Sequence, residues 1–255
     1  MNFLISSYTL YHLPIELAIE TLLKKGWKSI EIMCEGHGFE LLGWDAKKRK
    51  QLRDLLWNYE AKVQFHAPIK KFNPASEDPT VRLETEKIWN ECIELAIYYD
   101  SDYVLFHPGR ASNHEIGLER INDFFSKKSK DLQENTALLI ENVPPYKDEI
   151  GTTSGDLITI MNAIEKNNVG VCFDTGHAFL SYRDEFTQEL EKLKPVIKAF
   201  HLNDNNGKTD EHLALGNGKI PFESILLMIK DNKYFINFEM KTVEYAEQSL
   251  TYFPK

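Results

Sequence analysis

Cysteine is scarce. Three residues, Cys34, Cys92 and Cys172, are spread over 255 positions. Their number and spacing exclude a disulfide-stapled fold and any CxxC metal knuckle. An odd, low count suits a reducing compartment, and a cytoplasmic location is expected. Positive charge is also short: 30 Lys and Arg face 39 Asp and Glu, for a net charge of −9. That argues against a generally basic nucleic-acid binder, although it leaves room for a local positive groove. No apolar run approaches the roughly 18–20 residues that span a membrane. The first residues carry no basic stretch ahead of their apolar run, so no signal peptide is expected. There is no linker and no low-complexity tract. A glycine-rich phosphate loop is missing too. Where a doubly wound sheet would carry GxGxxG, the chain reads Ser6-Ser7-Tyr8-Thr9-Leu10.

What is present is a repeat. A short apolar run, a polar turn and a helix-length amphipathic segment alternate along the chain, the pattern of βα units on a parallel sheet. Eight runs qualify: 3–7, 29–33, 63–66, 103–107, 137–141, 170–174, 197–202 and 234–239. Several, such as Ala137-Leu138-Leu139-Ile140, are continuously apolar, as strands covered on both faces must be. Pro14 suits the first helical position of the segment that follows the first strand, and Gly26 its C-terminal stop. Asp45 is a candidate N-cap for a helix running to Tyr59, with Leu52, Leu55 and Leu56 on its apolar face. Eight such repeats in 255 residues predict a single-domain α/β fold, a (β/α)8 TIM barrel spanning 1–255. Only about 16 residues follow the last strand, so the last helix must be short.

The polar residues cluster at the C-terminal ends of these strands, where barrels of this kind carry their chemistry. Strands three and four end at His66 and His107. Strands five and six end at Glu141 and at Asp174-Thr175-Gly176-His177. Strand seven reads His201-Leu202-Asn203-Asp204, with Asp210-Glu211-His212 in the loop beyond, and strand eight ends at Glu239. Any one of these histidines has an ordinary structural explanation. Nine His, Asp and Glu residues at six consecutive strand ends do not. Converging carboxylates repel, and an unpaired buried charge costs several kcal/mol, so a divalent cation among them is expected. Imidazole and carboxylate together suit zinc, manganese, iron or cobalt better than calcium. His12, His37 and His114 fall outside this set. His12 and His114 are expected to be solvated, and His37 sits in a glycine-flanked loop that can reach a substrate. Lys70, Lys71 and Arg110 are candidate phosphate contacts, whereas Lys47 to Lys50 read as a solvated helix face.

The string Val171-Cys172-Phe173-Asp174-Thr175-Gly176-His177, with His201 to Asp204 and Asp210 to Gly218, resembles the xylose isomerase-like barrel superfamily. That group holds sugar phosphate isomerases and epimerases and the endonuclease IV type of abasic-site nuclease. The resemblance runs from His66 to Glu239. Its isomerase branch implies one divalent metal, zinc or manganese, on Glu141, Asp174, His201 and Glu239, with His177 orienting the substrate or a water. Its nuclease branch implies three zinc ions and adds His66, His107, His177, Asp210 and His212 as ligands.

Glu35, after the second strand, resembles the sugar branch, where a Glu here lies near the substrate. The nuclease branch carries an Arg wedge in a longer loop, reads DTCH where this chain has Gly176, and opens with GxH, which this chain lacks. His107-Pro108-Gly109 and Gly117-Leu118-Glu119-Arg120-Ile121 resemble the nuclease branch. The expected activity is isomerisation or epimerisation of a small sugar, phosphorylated or not. Glu141 and Glu239 would move the proton through a metal-stabilised enediolate, and His177 would assist. The alternative is zinc-dependent hydrolysis of DNA at abasic sites, and only there is DNA a partner. No membrane partner is expected, and the oligomeric state is left open. A purely structural role fits the ligand set least well, and a dehydratase or lyase could use the same residues.

Overall fold

A computed structural model describes residues 2–230 and 233–253. Eight parallel strands close into a barrel: β1 (Asn2–Ser6), β2 (Ser29–Met33), β3 (Lys62–His66), β4 (Tyr103–Phe106), β5 (Ala137–Glu141), β6 (Val169–Asp174), β7 (Ile197–Leu202) and β8 (Phe235–Phe238). Each pairs with the next in sequence, and β8 pairs with β1. Every predicted strand forms to within about a residue at each end, because each apolar run is bounded by turn residues that cannot continue it.

Helices form the outer layer: α1 (Ile15–Lys24), α2 (Ala46–Asn58), α3 (Pro79–Tyr98), α4 (His114–Lys128), α5 (Ser154–Ala163), α6 (Thr175–Tyr182), α7 (Phe186–Leu193), α8 (Glu223–Ile229) and α9 (Val243–Ser249). Asp45 caps α2 as expected, its Oδ1 accepting from Lys48 N at 2.8 Å. Gly26 ends α1 at φ 96°, a conformation open to glycine at little cost. Pro14 lies one residue earlier than expected, at the N-cap with extended ψ of 140°. The last helix, α9, is short, at seven residues.

The pleat sorts the side chains. One set of strand residues, including Ile30, Phe65, Phe106, Phe173, Phe200 and Phe238, faces the helices in the main core. Burying each ring contributes about 2–3 kcal/mol. The alternate residues face the lumen. Leu4, Tyr103, Leu105, Leu139, Cys172 and Ala199 pack together as a separate interior cluster. Toward the C-terminal end of the strands the lumen turns polar, with Glu31, His66, Glu141, Asp174, His201, Asn237 and Glu239 all buried. A register irregularity between Val171 and Cys172 sets Asp174 opposite His201, the re-aiming a bulge provides.

Candidate metal centre

The strand ends bring the nine predicted residues to one mouth, in three groups whose donor atoms lie within 4.8 Å of one another. The central group is Glu141, Asp174, His201 and Glu239. Nδ1 of His201 lies 2.9 Å from Glu141 Oε1 and 2.8 Å from Glu239 Oε2. Neither approach has the direction of a hydrogen bond, and His201 Nδ1 and Glu141 Oε1 are both buried without a hydrogen-bond partner. Buried polar atoms are ordinarily paired. An imidazole nitrogen and carboxylate oxygens that converge on one point, buried and without hydrogen-bond partners, fit a divalent cation.

Two groups flank it. His66 Nε2 and His107 Nε2 stand 3.1 and 3.0 Å from Glu141 Oε2, so Glu141 belongs to two groups, one through each oxygen. On the other side, Asp210 Oδ2 lies 3.3 Å from His177 Nε2 and 3.0 Å from His212 Nε2. His212 reaches this position with φ at 50°, unusual for a side chain larger than glycine and costly unless the surroundings hold it. Its Nδ1 lies 2.7 Å from the Glu239 carbonyl. A carbonyl only accepts, so Nδ1 donates and Nε2 faces the group. The same logic fixes His66 through the Ala67 carbonyl at 2.8 Å and His177 through that of Asn142 at 2.9 Å.

These contacts shift the acids and bases. Burial opposes charge on His66 and His212, but the bond and charge of Glu141 and of Asp210 outweigh it and raise both to about 9. Burial likewise works against ionised Glu141, and the histidines around it win, holding it well below the carboxylate range. Asp174 goes the other way: burial lifts it to about 6 against the pull of His177. Desolvation dominates at His107 and lowers it.

Above the three groups opens a pocket of about 270 Å³, lined by Tyr8, Glu35, Lys70, Tyr146, Glu149 and seven of the nine metal-ligand candidates, Asp174 and His201 lying beneath it. A groove of about 470 Å³ on the outer face, beside Arg82, Glu86, Arg120 and Lys128, holds none of the candidate residues. Arg120 there pairs with Glu77 and Lys128 with Glu86.

Of the other sequence candidates, Glu35 and Lys70 reach the pocket. Arg110 does not present a free guanidinium: it donates to the Ile69 and Lys70 carbonyls at 3.5 and 2.7 Å. Lys71 turns away, over the Phe39 ring at 4.3 Å. His12 and His37 are exposed on the surface, and His114 meets Asp156 at 3.1 Å.

Sequence reasoning missed Tyr8, whose ring lies 4.7 Å from that of His212. Burial, Glu239 and Asp210 raise its hydroxyl pKa. It also missed Tyr146 and Glu149 on the rim. Burial raises the Glu149 carboxyl despite Arg110 and His177. Tyrosines and acids in loops carry no periodic signal. Asn203 and Asp204, quoted as part of a motif, turn out to support the site. Asn203 Nδ2 donates to Asp174 Oδ2 at 2.8 Å. Asp204 accepts from the backbone amides of Asn205, Gly216, Gly218 and Ile220.

Comparison with known proteins converges on the same fold. A family model described as a xylose isomerase-like TIM barrel matches residues 19–255. An uncharacterized protein of Methanocaldococcus jannaschii is 32% identical over 260 residues, covering 98% of this chain and 87% of that one. A probable endonuclease 4 of Aquifex aeolicus is 30% identical over 217 residues, 76% of this chain and 74% of its own. Among solved structures, a D-tagatose 3-epimerase-like protein superimposes with a TM-score of 0.84 at 30% identity, over 98% of this chain and 95% of that one. Among the described residues, no helix is long and apolar enough to cross a membrane.

Proposed function

This chain belongs to the xylose isomerase-like TIM barrel family, and from that premise we propose that it is a metal-dependent isomerase or epimerase of a small sugar. One observation carries the reading. Glu141 and Glu239 share one face of His201 Nδ1, at 2.9 and 2.8 Å, on the floor of a pocket of about 270 Å³. That volume suits a single sugar better than a polymer. The lining includes the carboxylates of Glu35, Glu141, Glu149, Asp210 and Glu239, and its one Lys or Arg side chain is Lys70, few of the basic contacts that grip a nucleic-acid backbone.

Glu141, Asp174, His201 and Glu239 would hold a divalent cation, which would supply Lewis acidity to a bound sugar. Glu141 and Glu239 are the proton carriers beside the carbonyl, one removing and the other returning. His177, anchored through Nδ1, holds Nε2 beside Asp210 on the pocket wall, within reach of a substrate hydroxyl. Tyr8 and Tyr146 line the sides of the pocket. The test is solvent deuterium uptake: metal-loaded protein is mixed with a panel of ketoses and ketose phosphates in deuterated water and followed by NMR. Deuterium entering beside the carbonyl of one sugar, lost on chelation, supports the reading. No uptake by any member overturns it.

A second reading has its own support. His66 and His107 converge on Glu141, and Asp210 joins His177 and His212, so donors for three ions are present where an isomerase needs one. Three zinc ions suit phosphodiester hydrolysis at an abasic site, with the attacking and leaving oxygens each stabilised. Metal-dependent cleavage of an abasic duplex, with two or three zinc ions per chain, favours this reading. One ion per chain and no cleavage removes it.

A further inference from the structure

The histidines of the mouth are not held alike. His66, His177 and His212 each anchor Nδ1 on a main-chain carbonyl, at 2.8, 2.9 and 2.7 Å, and face their groups with Nε2. His201 is inverted. Its Nδ1 faces Glu141 and Glu239, and its Nε2 points down into the lumen, 3.1 Å from both oxygens of Glu31.

Glu31 is fully buried. It lies on β2, which bears none of the nine donors. Tyr103 Oη donates to its Oε2 at 2.6 Å and Asn237 Nδ2 to its Oε1 at 2.7 Å. β2, β4, β7 and β8 thus meet on one carboxylate across the barrel. Burying such a group is costly, and an apolar side chain of the same volume fills a lumen more cheaply. Packing alone does not account for it.

We propose that Glu31 is the positioning residue of the central metal site: by accepting from Nε2 it fixes the proton there and delivers the bare Nδ1 lone pair of His201 to the ion. An imidazole binds metal through one nitrogen only when the other holds the proton. A carboxylate accepts and does not donate, so Nε2 must carry that proton. It also makes the ring a stronger ligand than a carbonyl anchor does. His201 is therefore a stronger imidazole donor than His66, His177 or His212, and the central ion is the last to leave. The inference rests on reading Glu141, Asp174, His201 and Glu239 as a metal site.

The test is zinc affinity by chelator competition on the full chain and on Glu31→Gln. The amide nitrogen that this substitution introduces must face either Asn237 or Tyr103, and in either place it also stands against His201 Nε2, so the new side chain cannot accept from all three. Expected is a loss of about 10–100-fold in affinity for one ion, the tightest, any others being unchanged. A folded Glu31→Gln variant that keeps wild-type affinity overturns the proposal. Should that variant fail to fold, the wild type decides: in the zinc-loaded, 15N-histidine-labelled protein, His201 must bind through Nδ1 and show a protected Nε2 proton. Coordination through Nε2, or no proton there, overturns it. A wild type that takes up no zinc overturns the metal reading itself, an outcome distinct from the loss of affinity on substitution.

Discussion

The amide of Asn203 occupies the space beside Gly176 that a side chain there would fill. A Cβ on residue 176 would overlap Asn203 Oδ1, and the same amide holds Asp174 through its Nδ2 at 2.8 Å. The Asp174-Thr175-Gly176-His177 string is therefore a packed unit, in which the glycine makes room for the support of a metal-ligand candidate. Gly176→Cys, which would give the DTCH form, should destabilise the chain by about 1–3 kcal/mol and displace Asp174. Urea unfolding measures the first effect and metal affinity the second. Adding Asn203→Ala should restore stability and not affinity. A Gly176→Cys chain as stable and as tight-binding as the wild type would contradict this coupling.

Glu141→Gln and Glu239→Gln should each abolish turnover with the fold kept, since both remove a proton carrier and a metal ligand. Circular dichroism checks the fold and deuterium uptake the chemistry. If both variants retain activity, the two carboxylates are not the proton carriers.

His66→Ala and His107→Ala separate the two functional readings. Each removes a donor from the group that shares Glu141 Oε2 and leaves the central four intact. Under the isomerase reading, sugar turnover should fall by less than about tenfold. Under the phosphodiesterase reading, one zinc per chain and nearly all cleavage should be lost.

Metal binding should be strongly pH-dependent. His66 and His212 are raised from 6.5 to about 9 in the metal-free chain. A raised histidine contributes stability that is full below its unfolded pKa and is lost as pH rises through the folded one. The metal-free melting temperature should therefore fall between about pH 6.5 and pH 9. The ion competes with the same protons, so zinc affinity should rise over that window, with protons released on binding. Melts with zinc and with chelator across the range test both slopes, and parallel curves would contradict the assignment.

Asp204→Ala should cost about 3 kcal/mol, because four backbone amides lose one carboxylate. The same loop carries Asp210 and His212, so the variant should also lose one metal equivalent. Unfolding and metal content are the measurements. Unchanged stability would mean that the loop is held by other bonds.

The barrel was legible because each apolar run between turns is a strand in a structure covered on both sides. The meeting of the nine residues at one mouth was legible because a strand end is a fixed place in this fold. Glu31 was not. It sits within Ser29-Ile30-Glu31-Ile32-Met33, and an acid alternating with isoleucines looks like the solvent face of a half-exposed strand; only closure of the barrel turns that face inward. Arg110 misled for the opposite reason. A free-looking base after His107 is spent on two carbonyls that fold back from another loop. Tyr8, Tyr146 and Glu149 belong to loops whose course depends on tertiary contacts, and nothing in their local sequence marks them.

The rim loops are fastened in series. Glu35 accepts from the amides of Ile69 and Lys70. Arg110 grips the carbonyls of the same two residues. Gly109–Arg110 then pairs as a two-residue strand with Glu149–Ile150. The loops after β2, β3, β4 and β5 thus form one collar. In this chain that collar is one mechanical unit: replacing a single loop severs its neighbours, whereas replacing all four together keeps the bonds that tie them.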